Sequence, residues 1–253
     1  MTQLAALIFD VDGTLADTER DGHRVAFNMA FKDANLDWEW DTALYGELLT
    51  VTGGKERIRH YIEHYAPQSL PSGDLTAAIA ALHATKTEHF VEMLRTGQLP
   101  LRCGVKRLIE EARNAGLRLA IATTTTPANV SALLTHALHP DSPSWFEVIA
   151  AGDIVAAKKP DPAIYRYAME QMGLSADQCL AIEDSANGYR SACGAALKSV
   201  ITVNSYTRND QFDEALLVVD QMGDAENPME VLQGDAGGAT CINTALLKQL
   251  FEH

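Results

Sequence analysis

Short unbroken apolar runs recur along this chain, separated by stretches with helical spacing. They fall at residues 4–9, 117–122, 148–151, 179–182, 199–203 and 216–219. Each is strand-sized, and apolarity at successive positions leaves no solvated face. That is the pattern of strands buried on both sides of a parallel sheet. Helices are predicted between them, at 105–115 before Gly116 and at 162–172. In the second, Asp161 can cap, Pro162 suits the first position and Gly173 stops the helix. A last helix is predicted at 243–251, after a glycine-rich loop at 234–238. The alternation predicts an α/β fold with a doubly wound, Rossmann-like parallel sheet.

One stretch breaks the alternation. From residue 17 to 95 no run has strand character, and the apolar spacing is helical: Phe27, Ala30 and Phe31; Tyr61, Ile62 and Tyr65; Phe90, Val91 and Leu94. Pro67, Pro71 and Gly73 punctuate its middle. The expected organisation is therefore a core of residues 1–16 and 96–253 with an inserted α-helical cap domain, 17–95, over the sheet edge from which it emerges. Trp38 and Trp40 are expected to pack inside this insert or, alternatively, to stand near a sugar ring, and His136 and His139 to lie in a loop or at a helix end. Charge narrows the partners. With 20 Lys+Arg against 34 Asp+Glu the net charge is −14, which argues against a nucleic-acid surface and obliges any anion site to gather cations locally. No apolar run approaches the ~18–20 residues of a membrane span, so no membrane partner is expected. Cys103, Cys179, Cys193 and Cys241 are scattered and read as free thiols. The N-terminus lacks signal-peptide features, so the expected location is the cytoplasm, or a plastid stroma if a transit peptide has been removed.

The residues that close the apolar runs do not fit a buried strand. The first run leads into Phe9-Asp10-Val11-Asp12-Gly13-Thr14-Leu15. Buried carboxylates are costly, and a doubly wound sheet binds its ligand at the carboxyl ends of its strands. Asp10 and Asp12 are thus candidates for nucleophile and proton carrier, although alone they also read as a tight turn before Gly13. Thr123 and Thr124 follow the second run, where a hydroxyl suits a phosphate oxygen or, equally, a helix cap. Lys158-Lys159-Pro160-Asp161-Pro162 follows the third; a lysine there can neutralise charge on a transferring group or stand solvated. Glu183-Asp184-Ser185 follows the fourth. Four acids in one crevice require a divalent cation, and hard oxygen donors favour Mg²⁺. Jointly these strand ends suit metal-assisted phosphoryl transfer to Asp10, then attack by water.

In that order, Asp10-Val11-Asp12-Gly13-Thr14, Thr123, Lys159-Pro160 and Glu183-Asp184 resemble the four motifs of the haloacid dehalogenase-like hydrolase superfamily. Asp17-Thr18-Glu19, Gly53-Gly54-Lys55-Glu56-Arg57, His83 with Lys86, and the Lys158 to Pro162 segment resemble the CbbY-like sugar-phosphate phosphatases, which act on xylulose-1,5-bisphosphate. The resemblance implies Asp10 as the nucleophile that becomes an aspartyl-phosphate and Asp12 as acid, then base. It implies Thr123 and Lys159 on the transferring group. It implies Mg²⁺ on the Asp10 carboxylate, the Asp12 backbone carbonyl and Asp184, with Glu183 in or just behind the ligand set. Glu19, Gly53, Gly54, Lys55, Arg57, His83 and Lys86 would hold the sugar and its second phosphate, with Thr124 and Asn129 beside the core phosphate.

Part of this has a separate warrant. Gly53-Gly54 frees backbone N–H groups next to Lys55 and Arg57, which suits an anion; the same residues also read as a glycine turn opening a solvated cationic helix that carries Lys55 and Arg59. His83 and Lys86, three apart, share a helix face. One departure counts against a mutase role: relatives in the phosphoglucomutase branch place a His twelve residues after the nucleophile, where this chain has Gly22, with His23 one later. The principal reading is a Mg²⁺-dependent phosphatase of a sugar phosphate, a pentulose bisphosphate such as xylulose-1,5-bisphosphate. The alternatives are a phosphosugar mutase of the β-phosphoglucomutase type, a dehalogenase, which Asp12 and Glu183-Asp184 disfavour, and a non-catalytic sensor of sugar phosphates. The expected partner is a small phosphosugar; oligomeric state stays open, a monomer being compatible.

Overall fold

The computed structural model describes residues 3–66 and 74–252. Strands β1 (Ala6–Phe9), β2 (Arg118–Thr123), β3 (Val148–Ala151), β4 (Cys179–Glu183), β5 (Lys198–Thr202) and β6 (Leu217–Val219) match the six apolar runs to within a residue or two. They pair in parallel in the order β3-β2-β1-β4-β5-β6. From β1 the chain builds outward through β2 and β3, then crosses back to β4 on the other side of β1. The crevice at this reversal is where an open α/β sheet binds its ligand. Register makes that crevice chemical. Phe9 stands opposite Ile121 on β2 and Ile182 on β4, so Asp10, one residue on, lies level with Ala122 and Glu183; its N–H donates to the Ile182 carbonyl at 2.9 Å.

The two-residue strand period sorts the side chains into two cores. Leu7, Phe9, Leu119, Ile121, Leu180 and Ile182 face α5 (Val105–Asn114), α6 (Pro127–Leu133) and α9 (Thr244–Glu252). Ala6, Ile8, Ala120, Ala122 and Ala181 face α7 (Ala163–Met172), whose Ile164, Tyr165 and Ala168 lie against them, and α8 (Ala186–Gly194) through Ala192. The helix expected from Pro162 starts one residue later. Pro162 takes the cap position, and the Asp161 carboxylate accepts from the Ala163 N–H at 2.9 Å. A seventh strand, β7 (Val231–Gly234), joins β6 antiparallel at the sheet edge. The sequence did not announce it, because all four residues are exposed and so carry no burial pattern.

Between β1 and α5 the described residues form helices only: a π-helical turn at Glu19–His23, then α1 (Arg24–Asp33), α2 (Thr42–Leu48), α3 (Gly54–His64) and α4 (Leu75–Arg95). They enclose an aromatic cluster of their own, Phe27, Phe31, Trp38, Trp40, Tyr45 and Tyr61 with Ile58 and Ile62. Trp40 is fully buried, worth roughly 2–3 kcal/mol against exposure, so both tryptophans are packing residues. The second half of α4 turns back to the sheet, with Phe90, Met93 and Leu94 joining the core beneath β1. The punctuation by Pro67, Pro71 and Gly73 lies outside the described residues. His136 falls in a π-helical turn, Leu134–Leu138, and His139 directly after it. No helix among the described residues is long and apolar enough to cross a membrane.

Candidate active site

The four strand ends meet. Asp10, Asp12, Thr123, Thr124, Lys159 and Asp184 line one cavity of about 270 Å³, with Glu19 and Arg57 from the helical layer on its other wall. Lys159 organises it. Its ammonium donates to Asp10 Oδ1 at 2.7 Å, to Glu183 Oε1 at 2.6 Å and to the Ala122 carbonyl at 2.8 Å. Burial disfavours a charged lysine, yet the carboxylates of Asp10 and Glu183 override it and hold Lys159 above its ordinary range. Asp10 moves the other way. Burial, with Glu183 and Asp12 nearby, lifts it to about 8 in spite of Lys159. Burial beside Asp10 and Glu183 raises Asp184 as well.

This crowding tests the expected cation. Asp10, Glu183 and Asp184 are all buried and offer carboxylate oxygens within 4.8 Å of one another, a hard-oxygen donor set that suits Mg²⁺. Their roles differ. Glu183 is fully buried, accepts from Lys159 at 2.6 Å and from the Tyr165 hydroxyl, and does not line the cavity. Asp184 lines it and accepts from Asn204 Nδ2 at 2.7 Å. Gly13, with φ of +88°, passes so close that a Cβ there would meet the Asp184 carboxylate.

The Asp12 side chain points toward the helical layer. Its Oδ1 accepts from Thr18 Oγ1 at 2.6 Å and lies 2.7 Å from His23 Nε2. The other ring nitrogen of His23 is 2.7 Å from the Lys86 ammonium. Burial alone would raise Asp12, but His23 and the hydrogen bonds from His23 and Thr18 hold it well below the usual carboxylate range. The apparent departure at Gly22 therefore resolves. The turn at Glu19–His23 is π-helical, which spends an extra residue per turn, so a histidine thirteen positions after Asp10 reaches the neighbouring acid. Burial also lowers Lys86, to about 8.

The remaining expected binding residues divide. Glu19, Gly53, Gly54, Arg57, His83, Lys86, Thr124 and Asn129 line a small polar cavity that also touches Asp12. Arg57 is no solvated helix residue: it is 6% exposed, donates to the Tyr45 hydroxyl at 2.8 Å and stands 3.6 Å from Glu19. Asn129 is buried, donates to Thr125 Oγ1 at 2.8 Å and has Oδ1 unpartnered. His83 is lowered to about 4 by burial and by Lys86 and Lys55. Lys55 goes elsewhere. It reaches across to Asp153, just after β3, and lines a neighbouring cavity that shares Gly53, Gly54, His83 and Thr124 with the first. Arg59, the bland member of that helix, donates to Thr76 at 3.1 Å.

Sequence reasoning missed several participants. Asn204 follows β5, and the strand-end rule that selected the other four ends would have found it. Tyr45, Tyr165 and Thr18 carry no local signal, since each acts on a group far along the chain or across a turn. Arg102, on the return from α4, donates to the backbone carbonyls of Gly13, Thr202, Val203 and Asp220, binding three strand-end loops together.

With this geometry in view, the class is settled. The chain belongs to the haloacid dehalogenase-like hydrolases, whose family model matches residues 4–195. Its likeness then narrows to CbbY proteins. It is 50% identical over 226 residues to the plasmid-encoded protein CbbY of Cupriavidus necator, covering 89% of each chain. It superposes on CbbY from Rhodobacter sphaeroides in complex with phosphate with a TM-score of 0.79 and 46% identity, over 86% of this chain and 94% of that one. A mutant of the same protein in complex with xylulose-(1,5)bisphosphate aligns equally well, at 0.79 and 45%.

Proposed function

We propose that this hydrolase is a Mg²⁺-dependent phosphatase of a small sugar phosphate, a pentulose bisphosphate such as xylulose-1,5-bisphosphate, working through an aspartyl-phosphate on Asp10. The observation that carries it is the Lys159 ammonium seated between Asp10 and Glu183 at a cavity that Arg57 lines from the helical layer, with His83 and Lys86 in the smaller cavity that adjoins Asp12. The similarity to a CbbY with a bisphosphate bound supports the substrate class. Asp10 and Asp184 carboxylates with the Asp12 backbone carbonyl would hold Mg²⁺, backed by Glu183; when bound, it neutralises the acids and the phosphoryl charge.

The chain's own residues do the rest. Lys159 and Thr123 hold the phosphoryl oxygens while an Asp10 oxygen attacks phosphorus and the P–O bond to the sugar breaks. Asp12 gives its proton to the departing sugar oxygen, then takes one from the water that attacks the acyl phosphate and returns Asp10. His23 and Thr18 fix Asp12 in place, and the phosphoryl oxygens beside it raise its affinity for the proton it must carry. Glu19, Arg57, His83, Lys86 and Asn129 hold the sugar and exclude water under the helical layer, residues 17–95, acting as a cap. The test is phosphate release from pentose and hexose mono- and bisphosphates with Mg²⁺ and after chelation. Release from a pentulose bisphosphate, abolished by EDTA, is expected; EDTA-insensitive release or none from any sugar phosphate overturns the reading.

A second reading has its own support. The contact of His23 with Asp12 removes the sequence objection to a mutase that returns the phosphoryl group to another hydroxyl. Product analysis separates the two: inorganic phosphate for hydrolysis, an isomeric phosphosugar for transfer.

A further inference from the structure

Two linkers join the helical layer to the core, and one side chain bonds to both of them and to the loops that carry the acids. Arg102 stands on the returning linker, between α4 and α5. Its backbone N–H donates to the Leu15 carbonyl at 2.9 Å and its Nε lies 3.3 Å from the Asp17 carboxylate, both on the outgoing linker. The rest of the guanidinium serves the core. Nη1 donates to the carbonyls of Gly13 and Thr202, the latter at 2.8 Å. Nη2 donates to those of Val203 and Asp220, each at 2.6 Å. The side chain is 8% exposed, whereas its one ionic partner, Asp17, is 59% exposed. What an arginine alone supplies in such a place is a planar fork that spans several acceptors at once.

Two of those carbonyls adjoin the groups expected to hold Mg²⁺. Gly13 is held on both sides: its N–H donates to the Ala16 carbonyl at 2.8 Å, and its carbonyl accepts from Arg102. A peptide is planar, so the Gly13 N–H and the Asp12 carbonyl share one plane, and restraining Gly13 aims that carbonyl. The restraint matters because a glycine at φ of +88° has latitude that other residues lack. On the other side, the Val203 carbonyl shares its peptide with the Asn204 N–H, which donates to Thr207 Oγ1 at 3.0 Å. Asn204 Nδ2 donates to Asp184 Oδ2 at 2.7 Å, while its Oδ1 accepts from the Tyr206 N–H at 2.9 Å. A Cβ on Gly13 would meet both the Asp184 carboxylate and the Asn204 amide. The two loops therefore lie against each other, and Arg102 is bonded to both.

Resting on the Mg²⁺ reading above, we propose that Arg102 is a positioning residue for the cation site: from the linker of the helical layer it fixes the Asp12–Gly13 peptide and, through Asn204, the Asp184 carboxylate.

Arg107 supplies the comparison. Its Nη2 donates to the Gly223 and Ile242 carbonyls, each at 2.8 Å, and its Nη1 to Glu111 at 3.1 Å. It braces loops as Arg102 does, but neither loop gives a residue to the cavity over Asp10. A merely structural role would make the two arginines equivalent.

Mn²⁺ alone is the probe, its free-ion electron spin resonance signal reporting binding, and the Mg²⁺ affinity follows from displacement. Arg102→Lys keeps the charge but gathers its three donors on one nitrogen, so it cannot span the loops. It is expected to weaken cation binding about ten-fold, whereas Arg107→Lys changes it by less than about two-fold. Asn204→Ala, which removes only the limb to Asp184, is expected to weaken binding roughly five-fold. The two losses should combine to less than their product in the double variant, since both pass through Asn204. Circular dichroism checks that each variant is folded at the temperature of the titration. Unchanged affinity in folded Arg102→Lys, or equal weakening by Arg107→Lys, overturns the proposal; unchanged affinity in Asn204→Ala does so even where Arg102→Lys fails to fold. A parent chain that binds neither cation defeats the Mg²⁺ reading itself, and this inference with it. Binding by the parent with no response in the variants overturns this inference alone.

Discussion

The strand-end cluster and the wall of the helical layer hold charge in different ways. At the strand ends, Asp10, Lys159, Glu183 and Asp184 are all nearly inaccessible, and two of the carboxylates meet at the Lys159 ammonium. Asp10 follows β1, and Glu183 closes β4 with Asp184 next to it, the register of β4 with β1 being fixed by parallel pairing. Lys159 is held by its hydrogen bonds to Asp10, Glu183 and the Ala122 carbonyl. On the helical side the cations are met by acids of different origin: Arg57 by Glu19 within the layer, Lys55 by Asp153 from beyond it. The first arrangement leaves little freedom to move, which suits steps where a misplacement of about 1 Å costs two orders of magnitude. The second consists of one buried and one exposed pair, neither held by strand register. Under the proposed function, chemistry would rest on the rigid half and selection on the helical half.

That contrast can be broken at its strongest point first. Asp10→Asn should reduce turnover by at least about a thousand-fold, because the nucleophile is lost, while sugar phosphates still bind; loss of binding on a par with turnover would mean that Asp10 serves mainly as a binding group. His23→Ala tests whether the helical layer reaches into the chemistry. It should lower kcat about a hundred-fold through misplacement of Asp12, with KM changed much less, and a purely KM effect would return His23 to the selecting half. Arg57→Ala should show the reverse division. KM for a bisphosphate rises about ten-fold and much less for a monophosphate, and stability drops by about 2–4 kcal/mol because Glu19 is left without its buried partner. Equal KM changes for the two substrates would remove Arg57 from the second-phosphate site.

The smallest effect concerns the exposed pair alone. Hydrogen bonds from Lys158 and Lys55 lower Asp153 to about 2 from an ordinary 3.8. A depressed carboxylate contributes stability above its unfolded pKa and loses it as pH falls through the folded value. Asp153 should therefore stabilise the protein above pH ~4 and cease to do so near pH 2, by about half a kcal/mol at most, given its exposure to solvent. Acid unfolding curves of the parent and Asp153→Asn, compared between those limits, measure the difference. A gap above 1 kcal/mol would make this pair a structural anchor.

The core half of the site could be read from the chain because two local regularities carry it. Unbroken apolar runs mark buried parallel strands, and polar residues directly after such runs have only the crevice to enter. Asp10, Asp12, Thr123 and Glu183-Asp184 follow from that pair of facts, and Asn204 does too once the rule is extended to the fifth strand, whereas Lys159 lies a loop beyond the third run and is singled out by its charge and its motif. β7 lay beyond reach because an exposed edge strand has no burial to imprint on its sequence. The helical half gave its secondary structure by periodicity, but helix faces do not say what stands opposite them.

Only the tertiary structure decided that Lys55 turns outward to Asp153 while Arg57, two residues on, is buried against Tyr45. Only it showed that a π-helical turn carries His23 to Asp12, and that Glu183 faces Lys159 and Tyr165 with Asp184 left lining the cavity. The physical reason is the range of the forces involved. Burial and hydrogen-bond periodicity act between neighbours in the chain and leave a mark in the order of residues. The pairing of charges from segments a hundred residues apart depends on where packing brings them, and that is settled when the helical layer meets the sheet.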